Sequence, residues 1–190
     1  MPFNLFHGSE TYLVELAFNR AWRELVRDLN SDLDWEVLDE AASHDDLLLA
    51  CTSVGFFSPV RVVGIRDWRL LGEKPARRGK VRTAAAGDDP LMVAAATIAS
   101  LPDSTTLLLS SSSLLQPTNP VLKVMQQRGK VLGFPRLRFG EVPAWVTNRA
   151  RQQRVQIEPL GIEVLVRRAG GDLALLDSEL TKLSTYAGGA

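Results

Sequence analysis

The sequence predicts an α/β protein with a mostly parallel five-stranded sheet, helices on both faces of that sheet, and a small three-helix domain after it. Short apolar runs alternate five times with helical patterns before Pro135. Such alternation is typical of a parallel sheet built from βαβ units. After Pro135 only helical patterns follow. We therefore predict two domains, at residues 1–138 and 139–190.

Composition sets the class of the protein before any motif is considered. Of the 190 residues, 45% are apolar and 23% are charged, and the formal net charge is zero, so bulk charge favours neither nucleic acid nor membrane as a partner. The single cysteine, Cys51, excludes an internal disulfide and fits a reducing compartment. The N-terminus has no signal-peptide pattern, and no apolar run approaches the roughly 20 residues that span a bilayer. We therefore expect a cytoplasmic protein.

Apolar periodicity and capping residues predict the first half of the sheet domain. The predicted strands cover residues 3–6, 35–38 and 60–65. A helix with a wide apolar stripe runs from residue 10 to about residue 28, with Ser9 as its cap. A second helix starts at Ser43 and ends near Gly55. Asp45 and Asp46 lie at the start of this second helix, where capping explains them better than acid–base chemistry does.

The second half of the sequence continues the alternation and then departs from it. Strands are predicted at residues 105–110 and 130–134, and the helices before them start at Asp89-Pro90 and Asn119-Pro120, each with proline at the first helical position. Residues 70–87 are interpreted as a surface loop, because glycine, proline and cations cluster there. The final helices are predicted at residues 141–153, at residues 159–169, and from Asp172 onward.

The turn after the first strand is similar to a phosphate-binding loop without its chemistry. A strand, a glycine turn at Gly8 and a helix N-terminus together form the place where P-loop proteins hold a nucleotide. The second glycine and the lysine of that motif would fall at Leu13 and Val14, which can neither cradle nor neutralise a phosphate. The fourth strand is followed by serines up to Ser113 instead of the acidic residues that hold magnesium in P-loop ATPases. The sequence therefore argues against ATP chemistry.

Few side chains suggest any other catalytic or metal chemistry. Neither His7 nor His44 has a second metal-ligating residue at helical or loop spacing, so both are interpreted as structural or solvent-facing, and no metal or cofactor is predicted. Cys51 lies on an apolar helix stripe and is interpreted as a small buried hydrophobe. No nucleophile elbow accompanies the many serines.

A cluster of cations marks the predicted loop before the fourth strand. Lys74, Arg77, Arg78 and Lys80 could contact the phosphates of DNA. No aromatic residues are interleaved with them for base stacking. A solvated loop is therefore the favoured interpretation of this cluster, and DNA contact is kept as an alternative.

Two consecutive aromatic residues, Phe56 and Phe57, follow Gly55 and precede the third strand. Adjacent side chains point in different directions, so burying both rings at a helix-to-strand corner is difficult. We expect at least one ring to be exposed. An exposed aromatic pair on a loop between rigid elements is a natural anchor for a protein partner.

Several motifs, in their order and spacing, resemble the delta subunit of the bacterial DNA polymerase III clamp loader. They are the opening Leu5-Phe6-His7-Gly8-Ser9-Glu10, the segment Gly55-Phe56-Phe57-Ser58 followed by Arg61-Val62-Val63-Gly64-Ile65-Arg66-Asp67, Val142-Pro143-Ala144-Trp145, and Gly170-Gly171-Asp172-Leu173 with the residues after it. The resemblance covers nearly the whole chain. It implies an AAA+-like fold: a RecA-like domain without a working ATP site, followed by a helical lid.

The resemblance also implies a function. The delta subunit grips the sliding clamp (the beta subunit) and opens its ring for loading onto primed DNA, while other clamp-loader subunits bind ATP. By position, the clamp-binding residues here are Phe56, Phe57 and Ser58. The chain is then a non-catalytic subunit of a DNA polymerase holoenzyme with no membrane partner. The third domain of the family, a helical collar, is absent after Ala190, which suggests either a fragment or a short natural homologue.

Two other functions remain open at this stage. One is an α/β nucleotide-binding enzyme with an unorthodox site near Gly8. The other is a nucleic-acid-binding module that uses the cations between Lys74 and Lys80, for which a steep salt dependence would be diagnostic.

Overall fold

The computed structural model describes residues 3–27, 29, 31–53, 60–72 and 89–186. The chain divides into two compact units, Met1–Pro135 and Arg136–Ala190. The first unit contains a five-stranded parallel sheet with helices on both faces, so the predicted fold class is confirmed. Among the described residues, no helix combines the length and the apolar character needed to cross a bilayer.

The sheet of the first unit is entirely parallel in its described strands, and its strand order is β2-β3-β4-β1-β5. The strands are β1 (Phe3–His7), β2 (Trp35–Leu38), β3 (Arg61–Ile65), β4 (Thr105–Ser111) and β5 (Gly129–Gly133). The central strand β4 lies between β3 and β1, and β1 pairs with β5 on its other side. The carboxyl ends of these strands, which include His7, Ile65 and Ser111, therefore lie together at one end of the sheet. Open parallel sheets bind ligands at this end.

The described residues of the first unit contain the α-helices α1 (Thr11–Val26), α2 (His44–Thr52), α3 (Arg69–Gly72), α4 (Pro90–Ser100) and α5 (Pro120–Arg128), and a 3₁₀ turn (Asp32–Asp34). The side chains of β4 show how the two faces are filled. Leu107 and Leu109 are fully buried in the core that α2, α4 and α5 cover. Leu108 is fully buried in the opposite core, against α1. This alternation explains why a nearly continuous apolar run forms a central strand.

Helix α1 alone supplies the described helical core residues on its face of the sheet. Val14, Phe18 and Trp22 recur at a spacing of four residues and pack on Val62 and Leu108. The rings of Phe18 and Trp22 stack with centroids 6.2 Å apart. Burying each of these large side chains contributes about 1.5–3 kcal/mol to folding.

Capping residues begin the helices largely as predicted. Ser43 and Asp46 form a capping box at α2, and the side chains of Asp89 and Asn119 accept hydrogen bonds from the first backbone N–H groups of α4 and α5. The N-cap position of α1 is Glu10 and not the predicted Ser9, and the side chain of Glu10 makes no capping hydrogen bond. The backbone carbonyl of Phe134 accepts the hydrogen bond from the N–H of Glu10 instead, at 3.0 Å.

The interpretation of residues 70–87 as a loop is wrong at its start. Leu70 and Leu71 belong to α3, and Leu71 is only 3% exposed. The fully buried Trp68 holds this segment in place, because its indole N–H donates to the carbonyl of Ala42 at 2.7 Å. The rest of that interpretation, at residues 73–87, lies outside the described residues.

The second unit contains a short 3₁₀ turn (Phe139–Glu141) and three helices, α6 (Val142–Gln152), α7 (Pro159–Ala169) and α8 (Leu173–Tyr186). Its core is made of one apolar stripe from each helix: Val142, Val146, Ala150, Ile162, Val166, Leu173, Leu176 and Leu180. A bidentate ion pair between Arg149 and Asp177 joins α6 to α8 at 2.5 and 2.9 Å.

Candidate functional site

The turn after β1 is closed by the chain's own backbone. The N–H of Gly8 donates to the carbonyl of Ser111 at 3.1 Å, and the N–H of Phe134 donates to the carbonyl of His7 at 2.7 Å. A Cβ on Gly8 would overlap the carbonyl of Phe134, and Gly8 has φ +150°, which L side chains rarely adopt. The carbonyl of Phe134 also accepts from the N–H of Glu10, at 3.0 Å. This carbonyl therefore occupies a backbone N–H donor at the start of α1. Phosphate-binding loops direct donors of this kind at their ligand.

Two of the described side chains beside this turn, those of Glu10 and His7, supply no positive charge. Glu10 is 9% exposed and brings a carboxylate to the N-terminus of α1. His7 is 7% exposed, and its Nδ1 accepts a hydrogen bond from the N–H of Leu115 at 3.1 Å. Burial lowers the pKa of His7, which favours the neutral imidazole that this acceptor role requires. His7 is therefore a buried structural residue, as predicted.

The serines at the end of β4 are hydrogen-bonded to Asp67, a residue whose role the sequence does not reveal. The N–H of Asp67 donates to Oγ of Ser110 at 2.9 Å, and Oδ1 of Asp67 accepts from the N–H of Ser112 at 2.7 Å. Asp67 has φ +46°, a left-handed conformation that is uncommon outside glycine but tolerated by Asp. Its carboxylate thus fastens the end of β3 to the end of β4.

A cavity of about 330 Å³ opens beside this connection. It is lined by Asp67, Trp68, Arg69, Gly72, Ser111, Ser112 and Ser113. Arg69 forms an ion pair with Glu40, so its charge is already engaged. Within the part of the chain that the structure describes, no group of three or more His, Cys, Asp and Glu side chains is placed to hold a metal ion.

The predicted clamp-binding residues, Phe56, Phe57 and Ser58, lie outside the described residues. The structure does describe the chain on both sides of them, up to Ser53 and from Val60. Leu49, one turn before the end of α2, has 70% of its surface exposed, and Val60 has 37%. Apolar surface is therefore accessible on both sides of residues 54–59.

The last turn of α2 has hydrogen-bond partners for four successive backbone carbonyls. Helix C-termini leave their final carbonyls short of partners inside the helix, although that of Leu49 also accepts from the N–H of Ser53 at 3.1 Å. Here the hydroxyls of Thr52 and Ser53 donate to the carbonyls of Leu48 and Leu49, both at 2.7 Å. The next two carbonyls accept from side chains of neighbouring strands: Ala50 from Nε of Arg61 at 3.0 Å, and Cys51 from Oγ1 of Thr105 at 2.9 Å. The helix that leads to residues 54–59 is thus held firmly at its end.

Of the remaining candidate residues, the structure describes Cys51 and His44 but not the predicted DNA-contacting cations. Cys51 is 2% exposed, so the prediction of a small buried hydrophobe is confirmed, and burial raises its pKa to about 12. His44 begins α2, with its Nε2 3.4 Å from Asp45. The predicted DNA-contacting cations Lys74, Arg77, Arg78 and Lys80 lie outside the described residues.

Comparison with known proteins identifies the fold. No protein-family model matches the sequence, and no curated protein is similar to it in sequence. Among solved structures, the chain is similar to the DNA clamp loader delta protein YqeN of Bacillus subtilis, with a TM-score of 0.73 and 21% identity over 99% of this chain. The match spans 54% of the length of that protein.

A second solved structure, the Walker-type ATPase PABY2304 of Pyrococcus abyssi, matches with a TM-score of 0.44 and 11% identity, covering 100% of this chain and 64% of that one. That likeness is too low to inform the fold. The likeness to YqeN agrees with the sequence resemblance, and the fold of this chain is the fold of a clamp loader delta protein.

Proposed function

We propose that this chain acts as a clamp-loader delta subunit: it binds the sliding clamp and opens its ring for loading onto primed DNA. The observation that carries the proposal is the similarity to YqeN over 99% of the chain. In this proposal the RecA-like domain occupies residues 1–138 and the lid residues 139–190. The other clamp-loader subunits and primed DNA are its further partners.

The proposed clamp contact is formed by Phe56, Phe57 and Ser58. Its support is the sequence resemblance together with the described residues on either side. The end of α2 is held by hydrogen bonds to Arg61 and Thr105, and β3 starts at Arg61 inside the sheet. An aromatic pair between two fixed ends loses little conformational entropy on docking, so more of its buried area contributes to affinity.

The subunit itself is proposed to be non-catalytic and to bind no nucleotide. Leu13 and Val14 replace the glycine and lysine of a phosphate-binding loop. The carbonyl of Phe134 takes the N–H of Glu10, and the carboxylate of Glu10 repels an anion at the same helix end. These observations favour the clamp-loader subunit over an enzyme with a nucleotide site near Gly8.

Binding and ring opening can be tested separately with the sliding clamp of the same organism. Titration of the clamp with this chain should give a complex in calorimetry, with the same dissociation constant in the presence and absence of ATP and magnesium. A clamp carrying a donor and an acceptor dye across one subunit interface should lose energy transfer when the chain binds. If no complex forms with the clamp at tens of micromolar, the proposed function is wrong.

A further inference from the structure

We propose that Arg61 is a positioning residue for the clamp contact, because it fixes both chain ends between which residues 54–59 run. This inference rests on the proposed function. Arg61 itself touches no clamp in the proposal. It acts by holding the end of α2 and the start of β3 at a fixed separation.

The side chain of Arg61 joins three elements of the sheet domain, and only 12% of it is exposed. Its Nε donates to the carbonyl of Ala50 in the last turn of α2, at 3.0 Å. Its two terminal nitrogens donate to the carbonyl of Leu33 and to Oε2 of Glu36, each at 2.5 Å. Glu36 belongs to β2, and Leu33 lies in the 3₁₀ turn before it. A charged, forked donor with all three groups engaged is a strong and directional connection.

The backbone of Arg61 is fixed as well. Its N–H donates to the carbonyl of Ser104 at 3.0 Å, and its Cα is level with Thr105 in the pairing of β3 with β4. One residue therefore holds the start of β3 through its backbone and the end of α2 through its side chain. Thr105, directly beside it, holds the carbonyl of Cys51.

Loss of the Arg61 side chain would leave the carbonyl of Ala50 without this partner and loosen the last turn of α2. The last residues of α2, from which the chain continues into residues 54–59, would then occupy a range of positions. Only the fraction of molecules in the binding-competent arrangement would dock, and the apparent dissociation constant rises in proportion as that fraction falls. Association should slow for the same reason, because binding would then require ordering.

Arg128 offers a matched control, because it holds a different helix end in the same manner. One of its terminal nitrogens donates to the carbonyls of Ile98, Ala99 and Leu101 at the end of α4, at 2.8, 3.3 and 2.8 Å. The other pairs with Asp103 at 2.9 Å, and 19% of the side chain is exposed. Arg128 adjoins β5, which is three strands from β3, or about 14 Å by ordinary strand spacing.

The test compares Arg61→Ala with Arg128→Ala in the chain described here, at a temperature where both are folded. Both substitutions should lower the melting temperature. Only Arg61→Ala should also weaken clamp binding, by about 3- to 10-fold, with slower association. Arg61→Lys keeps the charge but cannot engage all three acceptors, so it should give a smaller loss in the same direction and serves if Arg61→Ala does not fold.

A double-mutant cycle separates positioning from a general structural effect. Combined with Phe56→Ala or Phe57→Ala, whichever loses more affinity, Arg61→Ala should add little further loss, because the contact that it positions is already gone. Wild-type clamp affinity in folded Arg61 variants, or equal weakening by Arg128→Ala, would overturn the inference and leave the proposed function standing. Wild-type affinity in both phenylalanine variants would overturn the proposed clamp contact and, with it, the role of Arg61.

Discussion

The carbonyl of Phe134 lies where a side chain on Gly8 would begin. This contact brings the residue after β5 against the turn after β1, and it is reinforced by the hydrogen bonds of Phe134 to His7 and Glu10. The backbone groups that a phosphate-binding loop directs at its ligand are here used in contacts within the folded chain.

Substitution of Gly8 by alanine should therefore destabilise the fold. The new Cβ must displace the backbone of Phe134, and φ +150° is strained for any L side chain. We expect a loss of about 2 kcal/mol or more in the free energy of unfolding, measured by chemical denaturation. Gly140→Ala is the matched control, because its Cβ would meet nothing within 4 Å. Equal stability of the two variants would contradict the closed turn.

The isolated chain should neither bind nor hydrolyse ATP. The physical reasons are Leu13 and Val14 in place of glycine and lysine, and the use of the Glu10 N–H by Phe134. Calorimetry with ATP and magnesium should give no binding heat, and phosphate release should match a control without protein. ATP-dependent phosphate release that disappears on substitution near Gly8 would show that a nucleotide site exists there.

Stability should fall as the pH drops below about 6.5, because of His7. Burial lowers the pKa of His7 from its ordinary value of 6.5, so the unfolded chain takes up this proton at a higher pH than the folded chain does. The contribution is complete above pH 6.5 and is lost as the pH falls toward the folded-state pKa. His7→Asn keeps an acceptor near the position of Nδ1 but does not titrate, so its unfolding free energy should depend less steeply on pH between about 6.5 and 5.

The wild type and His7→Asn should be compared in the same denaturation series. If His7→Asn and the wild type have parallel curves, His7 does not supply the pH dependence and its acceptor role is misassigned.

The cations between Lys74 and Lys80 should not contribute to clamp binding. Changing Arg77, Arg78 and Lys80 to alanine should leave the clamp dissociation constant unchanged, because the proposal places the clamp contact at Phe56 and Phe57. DNA binding by the wild type should be weak and salt-dependent, and the triple variant should reduce the slope of log affinity against log salt by up to about 3. Loss of clamp binding in this variant would place the cations in the clamp interface.

The fold was accessible from the sequence because its signals are local. The apolar run Leu107–Leu109, the cap residues Ser43 and Asp89, and the spacing of Val14, Phe18 and Trp22 each act over a few residues, and the structure confirms what they predict. Tertiary contacts carry no such signal. Glu10 receives its partner from Phe134, and His7 receives its partner from Leu115, 108 residues away, so neither the position of Glu10 as the cap residue of α1 nor the role of His7 as an acceptor could be derived from local pattern.

The candidate site was predictable only in part for the same reason. Phe56 and Phe57 attract attention as an aromatic pair in the sequence. Arg61 is an ordinary first residue of a strand until its contacts with Ala50, Leu33 and Glu36 are known. Asp67 likewise acquires its role from a hydrogen bond to Ser112, 45 residues away.

The most direct test of the account is the affinity of Phe56→Ala and Phe57→Ala for the sliding clamp, measured alongside their melting temperatures. A buried aromatic residue at the centre of an interface typically costs about 2–4 kcal/mol when it is cut to alanine. We therefore predict a loss of roughly 30- to 1000-fold in clamp affinity, with little change in melting temperature for a ring that is exposed in the free protein. Unchanged clamp affinity in both folded variants, or a large fall in melting temperature with normal affinity of the folded fraction, would contradict it.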